Sequence, residues 1–129
     1  MNKIKHFRHS YAELSKVGSK VIGLAVACDL SFGKARAIAE RTVGRVKGRG
    51  LNTWNIHKLY QSMGKQLVHV PNVYGATLGT VANHAPMSGR YMFLTASHCA
   101  VSRDGILEDW SARGSRHRVR LCYKIEDVG

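Results

Sequence analysis

The sequence predicts a single α+β domain in which helices precede a mostly antiparallel sheet. The chain has 129 residues with 44% hydrophobic content, which is enough apolar material for one sizeable core. Apolar residues recur at helical spacing in the first half, and short runs of β-forming residues fill the second half. No internal repeat or interdomain linker is visible. We therefore predict one domain over residues 1–129, with residues 1–10 as a basic leader.

Three helices are predicted ahead of the sheet. The first begins at Ser19, a good N-cap, and runs through SKVIGLAVAC, which is apolar on nearly every face after its first residues. Such a helix suits a position in the middle of the domain, with other elements around it. The second lies within SFGKARAIAERTVGRVKGRG and ends at its last glycines. The third, TWNIHKLYQSMG, is capped by Asn52 and stopped by Gly64.

Five strands are predicted after these helices. The runs are short, contain β-branched and aromatic residues, and are bounded by turn residues. They are QLVHV, RYMFLTA, HCAVSR, ILEDW and RVRLCYKI. A loop with a short helix near residues 76–83 separates the first two. This order of helices followed by strands defines the α+β class.

Asp104 and Gly105 predict a tight hairpin between HCAVSR and ILEDW. Asp-Gly between two β runs is typical of a two-residue loop, which would pair Arg103 with Ile106. The same register makes His98 and Asp109 diagonal neighbours on one face, roughly 7 Å apart. A carboxylate can orient an imidazole at this spacing, and an oriented imidazole is two thirds of a nucleophilic triad. The alternative is a plain hairpin in which the two residues form a structural hydrogen bond.

The charge of the chain favours polyanionic partners. Twenty Lys and Arg against eight Asp and Glu give a formal net charge of +12, and eleven of the twenty lie in the first 50 positions. Nucleic acid, an anionic membrane surface or an acidic protein would be attracted to such a field. A run of charges is, however, more often a solvated face. The residues of the predicted basic face are Lys34, Arg36, Arg41, Arg45, Lys47 and Arg49.

Several classes of protein are excluded by what the sequence lacks. No apolar run approaches the roughly 18 residues of a membrane span, and the N-terminus lacks the apolar core of a signal peptide. Cys28, Cys99 and Cys122 are odd in number and widely spaced, which predicts neither a disulfide framework nor a zinc site. No phosphate-binding glycine loop is present. We expect a soluble, intracellular protein with reduced thiols, no cofactor and no metal.

The cysteines are poor candidates for the nucleophile. Cys99 follows His98 in a strand and would point to the opposite face, and Cys28 lies far from the start of the first helix. Alternation along RVRLCYKI groups Cys122 with Arg118, Arg120 and Lys124, which predicts a thiol among solvated bases.

The order of parts resembles the papain-like cysteine peptidase fold, with a buried helix that begins at a nucleophile and a sheet that holds His and Asp. More narrowly, GRYMFLTASHCAVSRDGILEDW is similar to a segment of small phage and bacterial relatives of the peptidases that trim double-glycine leaders. Aligned through AVACDLSF, the resemblance covers roughly Ser15 to Ile125 and places the family's nucleophilic cysteine at Ser19. It implies a triad of Ser19, His98 and Asp109 that hydrolyses peptide or isopeptide bonds in the cytoplasm of a bacterial or phage-infected cell.

Two positions depart from the family's pattern. The nucleophile position holds Ser19, and the glutamine expected six residues earlier is Glu13, a carboxylate that donates no hydrogen bond to an oxyanion unless protonated. Residues around Gly18 and the first backbone N–H groups of the helix would then have to bind the oxyanion. Three interpretations stay open: an inactive relative kept for binding, a serine nucleophile, or a Cys-to-Ser replacement. The alternative function is a catalytically dead basic module that binds nucleic acid or an acidic protein.

Overall fold

A computed structural model describes residues 4–6, 19–43, 53–84, 88–96, 99–109 and 118–128. Within these ranges it has four helices and six strands, so the α+β class is confirmed. The helices are α1 (Ser19–Ala27), α2 (Phe32–Val43), α3 (Thr53–Ser62) and α4 (Leu78–His84). The strands are β1 (Ile4–His6), β2 (Lys65–His69), β3 (Arg90–Leu94), β4 (Cys99–Arg103), β5 (Ile106–Asp109) and β6 (Leu121–Asp127).

All six strands form one sheet in the order β1-β5-β4-β3-β6-β2. Five of them pair antiparallel, as predicted, and β1 pairs parallel to β5 at the edge. Residues 4–6 fall within the predicted basic leader and add a strand that the sequence does not predict. Three residues are too few for a recognisable alternation, so this strand is defined by its partner rather than by its own pattern.

The predicted hairpin between β4 and β5 is confirmed. Asp104 and Gly105 have φ angles of 52° and 86°, the two successive left-handed residues that a type I′ turn requires. The backbone of Asp104 donates to the Gly89 carbonyl at 2.9 Å, which holds the turn against the start of β3. The register agrees with the prediction as far as it is described, with the pairs Arg103–Ile106, Ser102–Leu107 and Val101–Glu108.

Helix α1 is buried as the sequence predicts. Val21, Leu24 and Ala27 are fully buried. The helix packs on β4 and β3 on one side and on α2 on the other, which explains why it is apolar all round. Side chains of α2, α3 and the near face of the sheet complete this first core. None of the helices that the structure describes is long and apolar enough to span a membrane.

A second core lies on the opposite face of the sheet, beneath α4 and the segment before it. Its buried members are Leu78, Val81, Phe93, Ala100, Leu107, Val119 and Cys122. The prediction that Cys122 lies among solvated bases is therefore wrong. Burial raises the pKa of this thiol to about 12. The alternation of residues along β6 correctly assigns their side chains to the two faces of the sheet. It does not show that other elements cover both of these faces.

Two glycines provide a matched test of backbone conformation. Gly64 ends α3 with φ 72° and Gly33 lies in α2, and a Cβ added at either position would meet no atom within 4 Å. Gly64→Ala should cost about 1 kcal/mol in the free energy of unfolding, because an L-residue resists left-handed backbone. Gly33→Ala should instead add about 0.5 kcal/mol, because alanine is the better helix former. Urea unfolding of both variants measures the sign of each change in the free energy of unfolding. A change of the same sign and size in both variants would contradict the conformational explanation.

Candidate functional site

Asp29 fastens the C-terminal end of α1 to the sheet. It follows the helix in left-handed backbone, φ 56°, and its carboxylate lies 2.7 Å from Arg90 and 2.7 Å from Arg103. The Arg90 guanidinium also donates to the Ala27 carbonyl, one of the last acceptors of the helix. The hydrogen bond from Arg90, and then that from Arg103, lower the pKa of Asp29. Because Arg90 and Arg103 are register partners at one end of β3 and β4, α1 ends at that end of the sheet.

The start of α1 therefore lies toward the other end of the sheet. Ser19 is the first residue of this helix, which packs along β4 and β3. The same end of the sheet is where β4 begins, at Cys99, and where β5 ends, at Asp109. His98 directly precedes β4 and lies outside the described residues. The fold thus places the positions of Ser19 and Asp109, and the start of β4, at a common end.

Within that common end, α1 and position 109 belong to opposite faces of the sheet. Cys99 and Val101 pack in the core that holds α1, whereas Leu107 lies in the second core. Alternation along β5 puts position 109 on the same side as Leu107. An imidazole that contacts both Ser19 and Asp109 would therefore have to lie beyond the ends of the strands, where it could reach both faces of the sheet. His98 stands in the short connection between β3 and β4 at that end, and its pairing with both residues stays a prediction.

The predicted oxyanion region is only partly described. Glu13 and Gly18 lie outside the described residues. Helix α1 itself is described from Ser19, and the first backbone N–H groups of any α-helix have no acceptor within the helix. These groups and the helix dipole favour a negative charge at the start of α1. The chemistry expected of an oxyanion site is therefore available from the backbone there.

The predicted basic face is present in part. Lys34 and Arg41 are exposed on the outer side of α2, which is what a docking surface for anions needs. Arg36 instead forms an ion pair with Glu40 at 3.2 Å. The other three predicted members, Arg45, Lys47 and Arg49, lie outside the described residues.

A cleft that the sequence does not predict lies at the C-terminal end of α1. Its volume is about 290 Å³, and it is lined by Ala27, Cys28, Asp29, Lys65, Gly89, Arg90, Ile125 and Asp127. The charges within it are paired, since Lys65 contacts Asp127 as Arg90 contacts Asp29. Burial raises the pKa of the Cys28 thiol, which disfavours the nucleophilic thiolate form. The lining comes from separate parts of the chain, so no local pattern could have indicated it.

Metal ligands do not cluster in the part of the chain that the structure describes, where no group of three or more His, Cys, Asp or Glu could hold an ion. Two described histidines instead pack against an aromatic ring. His57 and His69 meet Tyr123 edge-on, with ring centroids 5.0 and 6.1 Å away. Their contacts are those of histidines with a structural role.

Asp29→Asn should weaken the fold by about 1 kcal/mol at neutral pH, because it removes a partly exposed carboxylate from two guanidinium groups while an asparagine tolerates the same backbone. The lowered pKa of Asp29 means that its contribution is present above about pH 4 and is lost as the pH falls through the folded-state value. Urea unfolding of both proteins should therefore show a difference that shrinks between about pH 5 and about pH 2.

The control for this prediction is Glu40→Gln, which removes an exposed helical ion pair with Arg36 and should change stability by only about 0.3 kcal/mol. A difference between wild type and Asp29→Asn that stays constant over the acid range would contradict the assigned role of the carboxylate.

No protein-family model matches this chain, and neither a curated protein nor a solved structure matches it.

Proposed function

We propose that this chain is a papain-like peptidase relative with its site at the end of the sheet where α1 begins. The observation that supports this most is the course of α1, a helix buried on all sides that starts at Ser19 and is clamped to the sheet at its other end. Ser19 is the first residue of α1, and this course favours a position for it toward the end of the sheet at which β5 ends. His98 would complete the triad from the connection that precedes β4.

The proposed reaction is acyl transfer from a peptide or isopeptide bond to water. His98 removes the proton from Ser19, or from a cysteine in its place, as that residue attacks the carbonyl carbon. The same imidazole then protonates the departing amine, and a water molecule releases the acyl group by the reverse proton transfers. Asp109 orients the imidazole and stabilises its charged form. Backbone N–H groups at the start of α1 bind the oxyanion.

The reactivity expected at position 19 depends on whether the residue there has a hydroxyl or a thiol. A thiol at a helix N-terminus beside an imidazole ionises readily, whereas a serine depends on concerted removal of its proton. The native thiols offer no replacement, since Cys99 and Cys122 are buried and burial raises the pKa of Cys28. An inactive relative, a serine hydrolase and a Cys-to-Ser replacement all share the same arrangement of residues.

Ser19→Cys provides the direct test. Treated with iodoacetamide near neutral pH, the introduced thiol should react at least about tenfold faster than the native cysteines, because the imidazole and the helix N-terminus favour its thiolate. Peptide mass mapping after short exposure measures the labelling at each position. Adding His98→Ala should abolish the selectivity.

The matched control is His69→Ala, which removes an exposed histidine at the opposite edge of the sheet and should leave the labelling unchanged. If position 19 is not labelled selectively while circular dichroism shows an intact fold, the proposed catalytic site is wrong.

Nucleic-acid binding is a second candidate function, and it is favoured by the exposed cations on α2. Lys34 and Arg41 lie seven residues apart on one helix face, in a chain with a formal net charge of +12. Phosphate contacts need little more than such a row of cations. This function is compatible with a peptidase fold that has lost its activity.

The double variant Lys34→Gln/Arg41→Gln tests this candidate. We expect weaker binding to duplex DNA, with a plot of log affinity against log salt that is less steep by about 2, because each phosphate contact contributes about 0.9 to the slope. Fluorescence anisotropy at several salt concentrations measures it. Lys65→Gln serves as the control, since this lysine is already paired with Asp127. A salt-independent affinity, or an equal loss in both variants, would argue against the α2 face.

A further inference from the structure

Strand β2 lies at one edge of the sheet, and among the described strands only β6 pairs with it. The Val70 N–H donates to the Cys122 carbonyl at 2.8 Å. At the other end of the strand, the Val128 N–H donates to the Gly64 carbonyl at 2.9 Å. Both bonds thus join even-numbered positions that flank β2 to the neighbouring strand. Because backbone groups alternate in direction along an antiparallel strand, the N–H and C=O groups of the odd-numbered residues face away from β6.

The backbone that faces outward belongs to Lys65, Leu67 and His69. No hydrogen bond between described backbone groups reaches these outward-facing groups. The strand is about 17 Å long, and Pro71, which has no N–H to donate, lies just beyond it. An open edge of this length can pair with one more strand, and several peptide-binding domains add an extended ligand to a sheet in this way.

Exposed apolar side chains gather along the same edge. Four large apolar side chains of the described residues are exposed, and three of them lie on β2 or beside its ends. Val68 is within the strand and 41% exposed, and Val128 is bonded to Gly64 at its start. Tyr74 is 80% exposed and follows the strand in the chain. Single exposed apolar side chains are ordinary, whereas a group of them beside open backbone groups is typical of a surface that binds a partner.

Charge distinguishes a second copy of this chain from a different partner. The sequence of β2, KQLVH, contains basic residues and no acidic residue. Antiparallel pairing of two copies about Leu67 would set Lys65 of one copy opposite His69 of the other, and like charges at facing positions destabilise a pair of strands. Two chains that each have a formal net charge of +12 also repel each other. An acidic segment would instead be attracted.

We propose that the outer edge of β2 docks an extended peptide segment in which a short apolar run is bounded by acidic residues. The acidic residues face Lys65 and His69, and the apolar run lies against Leu67 on one face of the sheet and Val68 on the other. Lys65 already contacts Asp127, but that carboxylate is 81% exposed, and so exposed an ion pair is readily exchanged for one with the partner. This docking site is independent of the proposed peptidase function.

Amide hydrogen exchange followed by NMR tests the docking site in the unmodified chain. The probe is the capped peptide Glu-Val-Val-Thr-Glu, and Lys-Val-Val-Thr-Lys is its charge-reversed control. The acidic probe should slow exchange several-fold at the outward-facing amides of Lys65, Leu67 and His69. The amides of Gln66 and Val68 are already protected by β6 and should change little. Unchanged exchange at the odd-numbered positions overturns the proposal, and so does equal protection by the basic control.

Leu67→Pro removes the central outward-facing N–H, and Leu67→Ala is its matched control. Because this N–H faces away from β6, proline removes no hydrogen bond of the sheet, and edge strands tolerate proline at such positions. Both variants lose the leucine side chain, which packs partly against the first core. Fluorescence anisotropy with the labelled acidic probe should show several-fold weaker binding to Leu67→Pro than to Leu67→Ala. Equal affinities overturn pairing through the edge, and if circular dichroism shows that Leu67→Pro does not fold, the exchange measurement still decides.

Sedimentation of the free protein tests the choice of partner. We expect a monomer at the concentration used for NMR, because the charges of two copies oppose their pairing. A dimer in which the same three amides exchange slowly without any probe would show that a second copy occupies the edge, and this result overturns the acidic partner.

Discussion

The burial of α1 on all its sides is the constraint on which the arrangement of this domain depends. A helix that is apolar all round is stable only if other elements cover every face. Here β3 and β4 cover one side and α2 covers the other, with Val21 and Leu24 fully buried between them. Burial of each such side chain contributes about 1.5–3 kcal/mol, so the helix has little freedom to shift along the sheet. Where α1 begins is consequently fixed by its packing.

Because of the position of α1, different chemical groups lie at the two ends of the sheet. At one end, Asp29 joins Arg90 and Arg103, and the cleft there contains charges that already have partners. Groups that are satisfied in this way hold the structure together but are poorly suited to bind or transform a ligand. At the other end, α1 begins at Ser19, β4 begins at Cys99 and β5 ends at Asp109. The backbone N–H groups at the start of a helix favour negative charge.

Features set by neighbouring residues could be predicted from the sequence. The Asp104-Gly105 turn fixes its own hairpin, since its left-handed backbone and the register of β4 with β5 follow from two residues. The composition of SKVIGLAVAC likewise predicts a buried helix, because no polar face is available to meet water. The prediction of a His98–Asp109 pair extends that register beyond its last described pair, Val101–Glu108, and so goes further than the structure does.

Features set by distant residues could not be predicted. The burial of Cys122 depends on the packing of α4 against the second face of the sheet, and alternation along β6 says nothing about that cover. The cleft beside Cys28 takes its lining from separate parts of the chain. Strand β1 is the extreme case, because Ile4 pairs with Leu107 across most of the chain's length. Its three residues have no pattern of their own, and they are recognised as a strand only by their pairing with β5.

The pairing of β1 with β5 has a consequence for the order in which the sheet can form during synthesis. The ribosome makes β1 first, but the strand that it pairs with appears only when most of the chain has been made. Until β1 docks, the outer edge of β5 presents free backbone donors and acceptors, and an open strand edge is a template for pairing with other molecules. A bulky N-terminal fusion that hinders this docking would therefore promote self-association through β5, even if the remainder of the domain folds normally.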